Sequence, residues 1–368
     1  MATFNQEIIK FANGNEDTVK YFDRARDWMC HRFSVDGRKI GEYDASKTLA
    51  EKSDKLNQAF FAEVERMSGF PITADNAQAW HMNPSVQWAA MAIRDMTINS
   101  LLPITTFPNM DTFVDLRILG LGDIAKFKVT SRDLFVVSQG ANGERTSFRQ
   151  KAYNGDVVVA PREHIITVFS DWYTVMANRE DIGEYLRKCI ISIETVMGQD
   201  AITSLNNGLA EGTYPSALSF SGAFDAFKLI TLAETVEAAN YGARPIIMGT
   251  ATALAKVLPD STAGFRGVFQ ADGGSVEIMK NFYGFDLVRM RQFLTSTPGS
   301  LKLALDPNTL YVISPGADKL IKGAVINTIS NVNQHFDNAD LTSNNTLRKS
   351  WGFDFVSAAR AGKYKITD

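Results

Sequence analysis

The sequence predicts a mixed α+β fold, with helical and strand-like segments in separate parts of the chain, and three observations support this. Apolar residues recur at helical spacing through most of the first hundred residues and again after residue 178. Between these stretches, runs within residues 113–169 alternate apolar and polar side chains with the two-residue period of a half-buried strand. After residue 208, short helical and strand-like runs alternate, which is typical of a compact α/β unit.

Composition places the chain among folded proteins. Its 368 residues are 45% hydrophobic, with 24 phenylalanines, and can form two or three subdomains with a sizeable core. A net charge of −3 predicts no strongly basic face for nucleic acid. Cys30 and Cys189 are interpreted as buried, reduced thiols. No apolar run reaches the ~18 residues that would span a bilayer, and no signal peptide is recognised, so we expect a soluble protein made in a cytoplasm.

The N-terminal region is predicted to be helical. Apolar stripes at helical spacing indicate three helices, over residues 17–33, 46–67 and 84–102. Linkers are predicted at residues 69–73 and 103–108, the second because of its prolines. These stripes indicate core packing, and they are also compatible with an extension that packs on neighbouring subunits.

A long two-stranded excursion follows. Its strand-like runs flank Asn142-Gly143, the strongest local signal for a β-hairpin turn. Each arm is predicted to cover about 12–15 residues, or roughly 40–50 Å. The tip is basic, with Arg145, Arg149 and Lys151 near the turn. An isolated ribbon is marginally stable in water, so this one is expected to lie on another molecule.

One long helix is predicted at residues 179–206, directly after the excursion. Asn178 is the predicted N-cap, and Glu180 and Asp181 are placed in the first turn, where the helix dipole favours acidic side chains. Asn206-Asn207-Gly208 supplies the predicted end. About 27 residues would form a rod of about 40 Å.

The remaining chain predicts the α/β unit. Helices are expected at residues 225–239 and 251–258, and strands at 244–248, 285–290 and 309–314. Ser314-Pro315 predicts the start of a further helix through residue 320. A last strand is expected at residues 351–356.

No catalytic, cofactor-binding or metal-binding constellation emerges from the sequence. Residues 120–125 fit the loose dinucleotide fingerprint, but the next residues alternate as a strand where that fingerprint requires a helix. The four histidines are scattered and have no spacing typical of metal ligands. The glycine-rich residues 263–274 are compatible with an anion-binding loop, but a mobile surface loop is the favoured interpretation.

The order of these elements resembles the major capsid protein of tailed bacteriophages, which has the Hong Kong 97 capsid fold. The resemblance covers about residues 105–368, and residues 1–100 depart from it. Five segments carry it: the extended loop at 118–168, the spine helix at 178–208, two axial-domain segments at 276–288 and 310–325, and a returning strand at 351–356. It is one of pattern, because the family has no short diagnostic motif.

The resemblance implies four parts. Residues 1–110 would form an N-terminal helical arm or extension, and residues 111–170 the extended β-hairpin loop. Residues 171–215 and 335–368 would form a peripheral domain around the spine helix, and residues 216–334 an α/β axial domain.

The implied function is self-assembly into the icosahedral shell around a double-stranded DNA phage genome. The expected partners are identical subunits in pentamers and hexamers, packaged DNA held non-specifically, and portal and scaffolding or cement proteins, with no membrane and no cofactor. The implied location is the virion, assembled in the cytoplasm of the host bacterium. Two alternatives stay open: an encapsulin-type shell around protein cargo, and an oligomeric α/β enzyme.

The predicted contact site is the tip of the hairpin. Asn142, Gly143, Arg145, Arg149 and Lys151 are expected to reach a neighbouring subunit, with the basic residues pairing with acids there. The competing interpretation is a solvated hairpin tip.

Overall fold

The structure is a computed structural model that describes most of the chain, in two compact units. The described residues are 16–73, 83–110, 113–120, 122–130, 150–151, 154–170, 181–210, 214–257, 281–290, 292, 302–326, 336–337, 342–356 and 359–367. Unit 1 takes its described residues from Met1–Pro108, Arg162–Val196 and Ile326–Trp351; unit 2 takes its own from Asn109–Pro161, Met197–Val325 and Gly352–Asp368.

The described elements mix helices and strands, which confirms the predicted fold class. The helices are α1 (Glu16–Val35), α2 (Leu49–Ser68), α3 (Pro84–Met110), α4 (Ile182–Gly208), α5 (Ala226–Ala239) and α6 (Ala251–Val257). The strands are β1 (Val114–Leu119), β2 (Ala125–Thr130), β3 (Asn154–Val159), β4 (Arg162–Ser170), β5 (Ser219–Gly222), β6 (Ile246–Gly249), β7 (Asn281–Phe282), β8 (Phe285–Arg289), β9 (Thr309–Ile313), β10 (Ile321–Ile326), β11 (Phe336–Asp337), β12 (Thr342–Phe355) and β13 (Gly362–Ile366).

The N-terminal helices form where their stripes predict them, with two corrections. Helix α2 begins at Leu49, three residues later than predicted, because Thr48 and Glu51 form a capping box. The Glu51 N–H donates to Thr48 Oγ1 at 3.3 Å, and the Thr48 N–H donates to Glu51 Oε2 at 3.4 Å. Helix α3 runs on to Met110, so the linker predicted at residues 103–108 is wrong.

Unit 1 packs α1, α2, α3 and the first part of α4 around a shared core. Trp28 of α1 and Phe60 of α2 are fully buried. Trp28 lies so close to α4 that a Cβ on Gly183 would be 2.7 Å from its ring. In the same unit, β4 pairs antiparallel with β12 over nine residue pairs, from Ser343↔Ser170 to Trp351↔Arg162.

The long helix begins later than predicted. It starts at Ile182, so Asp181 precedes the helix instead of lying in its first turn. Asp181 Oδ1 accepts from the Gly183 N–H at 2.8 Å, and Asp181 Oδ2 accepts from Ser53 Oγ at 2.5 Å. The helix ends at Gly208, as predicted. The proposed N-cap Asn178 and Glu180 lie outside the described residues.

Unit 2 contains a six-stranded mixed sheet in the order β5-β13-β9-β6-β8-β7. The pairs β5–β13 and β6–β8 are parallel, and the other neighbours are antiparallel. The apolar face of α5 is buried, with Leu232 at 0% exposure. Helices α5 and α6 and strands β6, β8 and β9 confirm the predicted α/β unit, whereas the central strand β13 was not predicted.

One predicted helix is wrong. Residues 315–320 form turns and bends, with a backbone hydrogen bond of 3.0 Å from the Ala317 N–H to Ser314 O, and lead into β10. Residues 320–325 are all buried, so this apolar run serves as a strand. In unit 2, β10 lies between β1 and the last residues of β12.

Candidate assembly surface

The described part of the predicted extended loop is a ribbon of two antiparallel strands, β2 and β3. Its register runs from Ala125↔Val159 to Thr130↔Asn154, six residue pairs in all. Strands β1 and β4 pair outside the ribbon, so the prediction that they belong to its arms is wrong, whereas the length of the arms stays a prediction. Strand β3 begins with Asn154-Gly155.

The ribbon is buried at its base and exposed farther out. Ala125, Phe127 and Val159 at the base are each 1% exposed. Thr130, Gly155 and Asp156 at the other end of the ladder are exposed. The ribbon therefore leaves the core of unit 2 along its length, in the direction of residues 131–153.

Two cations anchor the base through the ring of Phe127. The guanidinium of Arg117 lies 4.4 Å from the ring centroid, and Lys322 Nζ lies 5.7 Å from it. Such contacts contribute about 0.5–2 kcal/mol, with the larger values at desolvated sites. Arg117 also donates a hydrogen bond to the Lys126 carbonyl, which joins β1 to β2.

Lys322 is a buried charge with partners on both sides. Its side chain is 3% exposed, and Nζ lies 2.6 Å from Asp318 Oδ1 and 3.1 Å from Asp115 Oδ2. A buried ammonium requires such partners, because its desolvation is otherwise costly. The sequence contained a signal for this cluster, since Lys322 interrupts an otherwise apolar run at residues 320–325.

The outer part of the ribbon presents open strand edges. Within the described residues, β2 and β3 pair only with each other. The solvent-facing side of the ribbon is exposed from its base outward: Val158, opposite Lys126 in the pair next to the base, is 51% exposed, and the cross-strand ion pair Lys126–Asp156 spans 3.6 Å. Unpaired edges of this kind accept another strand, and charged side chains such as Lys126 restrict which strands can add.

The predicted tip residues can be placed only in part. Asn142, Gly143, Arg145 and Arg149 lie outside the described residues. Lys151 is described and is exposed. Their contact with a neighbouring subunit stays a prediction.

Metal binding and thiol chemistry can each be checked against the described residues. Within them, no group of three or more His, Cys, Asp or Glu side chains is arranged to hold a metal ion. Burial raises the pKa of both cysteine thiols, Cys30 and Cys189, which disfavours the reactive thiolate. The segment that fits the dinucleotide fingerprint leads into strand β2, where that fingerprint requires a helix.

Among the described helices, none combines the length and the apolarity needed to cross a bilayer.

Comparisons with known proteins give structural similarities only. No protein-family model matches the chain, and no curated protein matches its sequence. The capsid of the empty GTA particle is similar with a TM-score of 0.45 and 12% identity, covering 71% of this chain and 90% of that one. The mature capsid of bacteriophage PhiM1 is similar with a TM-score of 0.44 and 10% identity, covering 70% and 86%. For the capsid of cyanophage P-SCSP1u the values are 0.40, 12%, 69% and 86%.

Proposed function

We propose that this chain is a self-assembling structural protein. The observation that carries the proposal is the ribbon β2–β3, which is anchored at its base and has open edges beyond it. A ribbon of this kind is marginal alone and gains stability when its edges pair with another molecule. Both thiols are buried, and the described residues contain no metal-binding cluster. The ribbon is therefore the feature to which we assign a function.

The particular protein that we propose is the major capsid protein of a tailed bacteriophage. The described elements follow the order that the sequence resemblance implies: a ribbon, a 27-residue helix, a mixed α/β sheet unit, and a strand near the C-terminus. Identical subunits would form the pentamers and hexamers of an icosahedral shell, where many modest interfaces add up to a stable particle.

The shell would enclose double-stranded DNA in the virion, after assembly in the host bacterium. A net charge of −3 supports non-specific enclosure, because a strongly basic wall would hold the packaged DNA tightly. Portal and scaffolding or cement proteins are the further partners that we propose.

Negative-stain electron microscopy with sedimentation of the purified chain tests the proposal. We expect shells or capsomer rings, either from the chain alone or after co-expression with neighbouring genes. A discrete small oligomer under both conditions would contradict the proposal and favour the oligomeric enzyme. Nuclease-protected DNA inside native particles distinguishes a genome shell from a compartment for protein cargo.

The hairpin tip has its own test. We expect Arg145→Glu with Arg149→Glu to reduce the yield of shells, because reversed charges would repel the acidic partners proposed on the neighbour. Arg145→Lys with Arg149→Lys is the matched control, since it keeps the charge. Normal shells at normal yield from the Glu variant would show that the tip is solvated.

A further inference from the structure

Two turns of unit 2 hold a tyrosine in a backbone conformation that favours glycine. Tyr241 has φ +60° and Tyr283 has φ +46°, and they are the non-glycine residues with positive φ in the described part of the chain. In both turns the next residue is a glycine with positive φ, Gly242 at +81° and Gly284 at +90°. A side chain at positive φ is costly, and bulky residues adopt it rarely.

The first turn ends helix α5 in a Schellman motif. The Gly242 N–H donates to Glu237 O at 2.9 Å, and the Tyr241 N–H donates to Ala238 O at 3.2 Å. The left-handed residue of this motif is usually glycine, because glycine has no Cβ to clash. Here Tyr241 occupies that position, and the glycine comes one residue later.

The second turn is the two-residue loop of the β7–β8 hairpin. Phe282 pairs with Phe285, so Tyr283-Gly284 forms the whole loop. Positive φ at both loop residues is typical of a type I′ turn, for which Asn-Gly is strongly preferred. Tyr283 again stands where glycine or asparagine would be favoured.

Both turns lie at the same end of the six-stranded sheet, where strands β6 and β8 begin. Strands β6 and β8 are parallel, with Ile246 opposite Asp286, and each turn lies just before one of these strands. Arg244 joins the turns, because its Nη2 donates to the Gly284 carbonyl and lies 3.4 Å from Asp286 Oδ1.

The tyrosine side chains are exposed: Tyr241 is 55% and Tyr283 is 75% exposed. Burial within the subunit therefore offsets little of the backbone strain. Arg244 and Asp286 beside them are also about half exposed, at 58% and 48%. Strain kept at exposed positions is typical of binding sites, and tyrosine and arginine are enriched among interface hot spots.

We propose that Tyr241, Tyr283 and Arg244, named here the tyrosine edge, contact a second copy of this chain in the assembled shell. The edge presents a cation and an anion beside two aromatic rings, so its charges can complement those of an identical edge or of the neighbouring subunit. The inference rests on the proposed capsid function and names a contact surface apart from the hairpin tip.

Asparagine substitutions separate folding from assembly at this edge. Asparagine tolerates positive φ, and Tyr283→Asn creates the preferred Asn-Gly turn. We therefore expect Tyr241→Asn and Tyr283→Asn each to raise the Tm of the unassembled chain by roughly 2–4 °C. We also expect each to raise the protein concentration at which shells form by about tenfold or more. Tyr241→Phe and Tyr283→Phe, which keep ring and strain, are the matched controls and should assemble like the unmodified chain.

The outcomes distinguish the inference from the proposed function. A higher Tm together with weaker assembly in the Asn variants supports the tyrosine edge. Unchanged assembly in those variants overturns the inference and leaves the capsid function intact. A loss of both Tm and assembly assigns the tyrosines a structural role and also overturns it. Failure of the unmodified chain to assemble, even with neighbouring genes, overturns the proposed function itself.

Discussion

Charged side chains join the distant segments of unit 1, whereas apolar strands form the mixed sheet of unit 2. In unit 1, Arg38 binds Glu194 through two hydrogen bonds of 3.0 and 2.7 Å, and Arg32 binds Glu184 at 2.6 Å. These pairs connect the N-terminal region to α4, which begins more than a hundred residues later. In unit 2, strand β9 is buried at every position and forms the centre of the mixed sheet.

Because of this difference, we expect different kinds of substitution to destabilise the two units. Loss of one partner from a buried ion pair leaves the other charge desolvated, which is strongly destabilising. Loss of volume from an apolar core leaves a cavity. Unit 1 should therefore be sensitive to the removal of single charges, as should the Lys322 cluster of unit 2, whereas the mixed sheet of unit 2 should be sensitive to the truncation of apolar side chains.

The largest effect is expected at Lys349 in unit 1. Its Nζ lies 2.8 Å from Asp95 Oδ1, with the two side chains 4% and 2% exposed, and it also donates to Asn99 Oδ1. Lys349→Met should lower the free energy of unfolding by about 3–5 kcal/mol, because Asp95 loses its buried counter-ion. Urea denaturation measures the loss, and hydrogen exchange should rise first in α3 and β12.

Two further variants control this prediction. Lys349→Met with Asp95→Leu should recover much of the loss, since no buried charge is then left behind. Lys20→Met removes an ion pair with Asp17 whose side chains are 59% and 71% exposed, and should have little effect. Equal losses from Lys349→Met and Lys20→Met would contradict the assignment of the large effect to the buried ion pair.

The next effect is expected at Leu232 in unit 2. Its side chain is fully buried, and a Cβ on Gly362 of β13 would lie 2.8 Å from it. Leu232→Ala should cost about 2–5 kcal/mol through the lost burial and the cavity. Leu232→Met, which nearly keeps the volume, should cost less than about 1.5 kcal/mol in the same urea denaturation. If Leu232→Met costs as much stability as Leu232→Ala, the shape of this side chain matters more than its volume for packing in this core.

Patterns local in sequence predicted much of the fold. The helical stripes located the N-terminal helices and α4, because a period of 3.6 residues needs no knowledge of the partner. The period of two likewise located β1, β2 and β4, but it does not identify the partner strand. The partner of β4 is β12, almost 180 residues away, so an arm of the ribbon was predicted where another sheet forms. The alternation in Gly362–Ile366 also predicts a strand, and it was overlooked.

The candidate surfaces were predicted less well, for physical reasons. The charge cluster around Lys322 depends on Asp115, which comes from a distant strand, so only the lone lysine in an apolar run pointed to it. The tyrosine edge contradicts propensity, since Tyr241 and Tyr283 hold positions where glycine or asparagine is expected. A sequence pattern predicts preferred conformations, and these two residues adopt a disfavoured one.

Alkaline pH should affect both units through buried tyrosines, and Tyr21 and Tyr311 have the largest expected effects. Burial raises the pKa of Tyr21 in unit 1 to about 12 and that of Tyr311 in unit 2 to about 12. The unfolded chain loses these protons near pH 10, so stability is complete below about pH 10 and falls as the pH rises through 12. Each tyrosine should account for a loss of about 2–3 kcal/mol across that window.

Phenylalanine variants check the assignment. Tyr311→Phe gives up the 2.6 Å hydrogen bond to Asn206 Oδ1 at neutral pH, at a cost of about 1 kcal/mol, but should lose less stability between pH 10 and 12. Tyr21→Phe should behave in the same way in unit 1. Urea midpoints at pH 9 and 11, with absorbance at 295 nm to follow ionisation, give the comparison. A pH dependence unchanged in both variants would mean that other groups cause the alkaline loss.

The smallest effect is expected at the helix caps, where the two units should behave alike. Thr48 accepts from the Glu51 N–H at 3.3 Å at the start of α2, and Asp225 accepts from the Phe227 N–H at 2.9 Å at the start of α5. Thr48→Ala and Asp225→Ala should each cost about 1 kcal/mol, because each leaves one N–H of the first turn without its cap. Thr48→Ser and Asp225→Asn keep an acceptor and should cost a few tenths of a kcal/mol at most. Similar losses of stability for the two Ala variants would mean that the contrast between the units arises from tertiary packing. A much larger loss of stability in one unit would show that the helix caps also contribute to the contrast between the units.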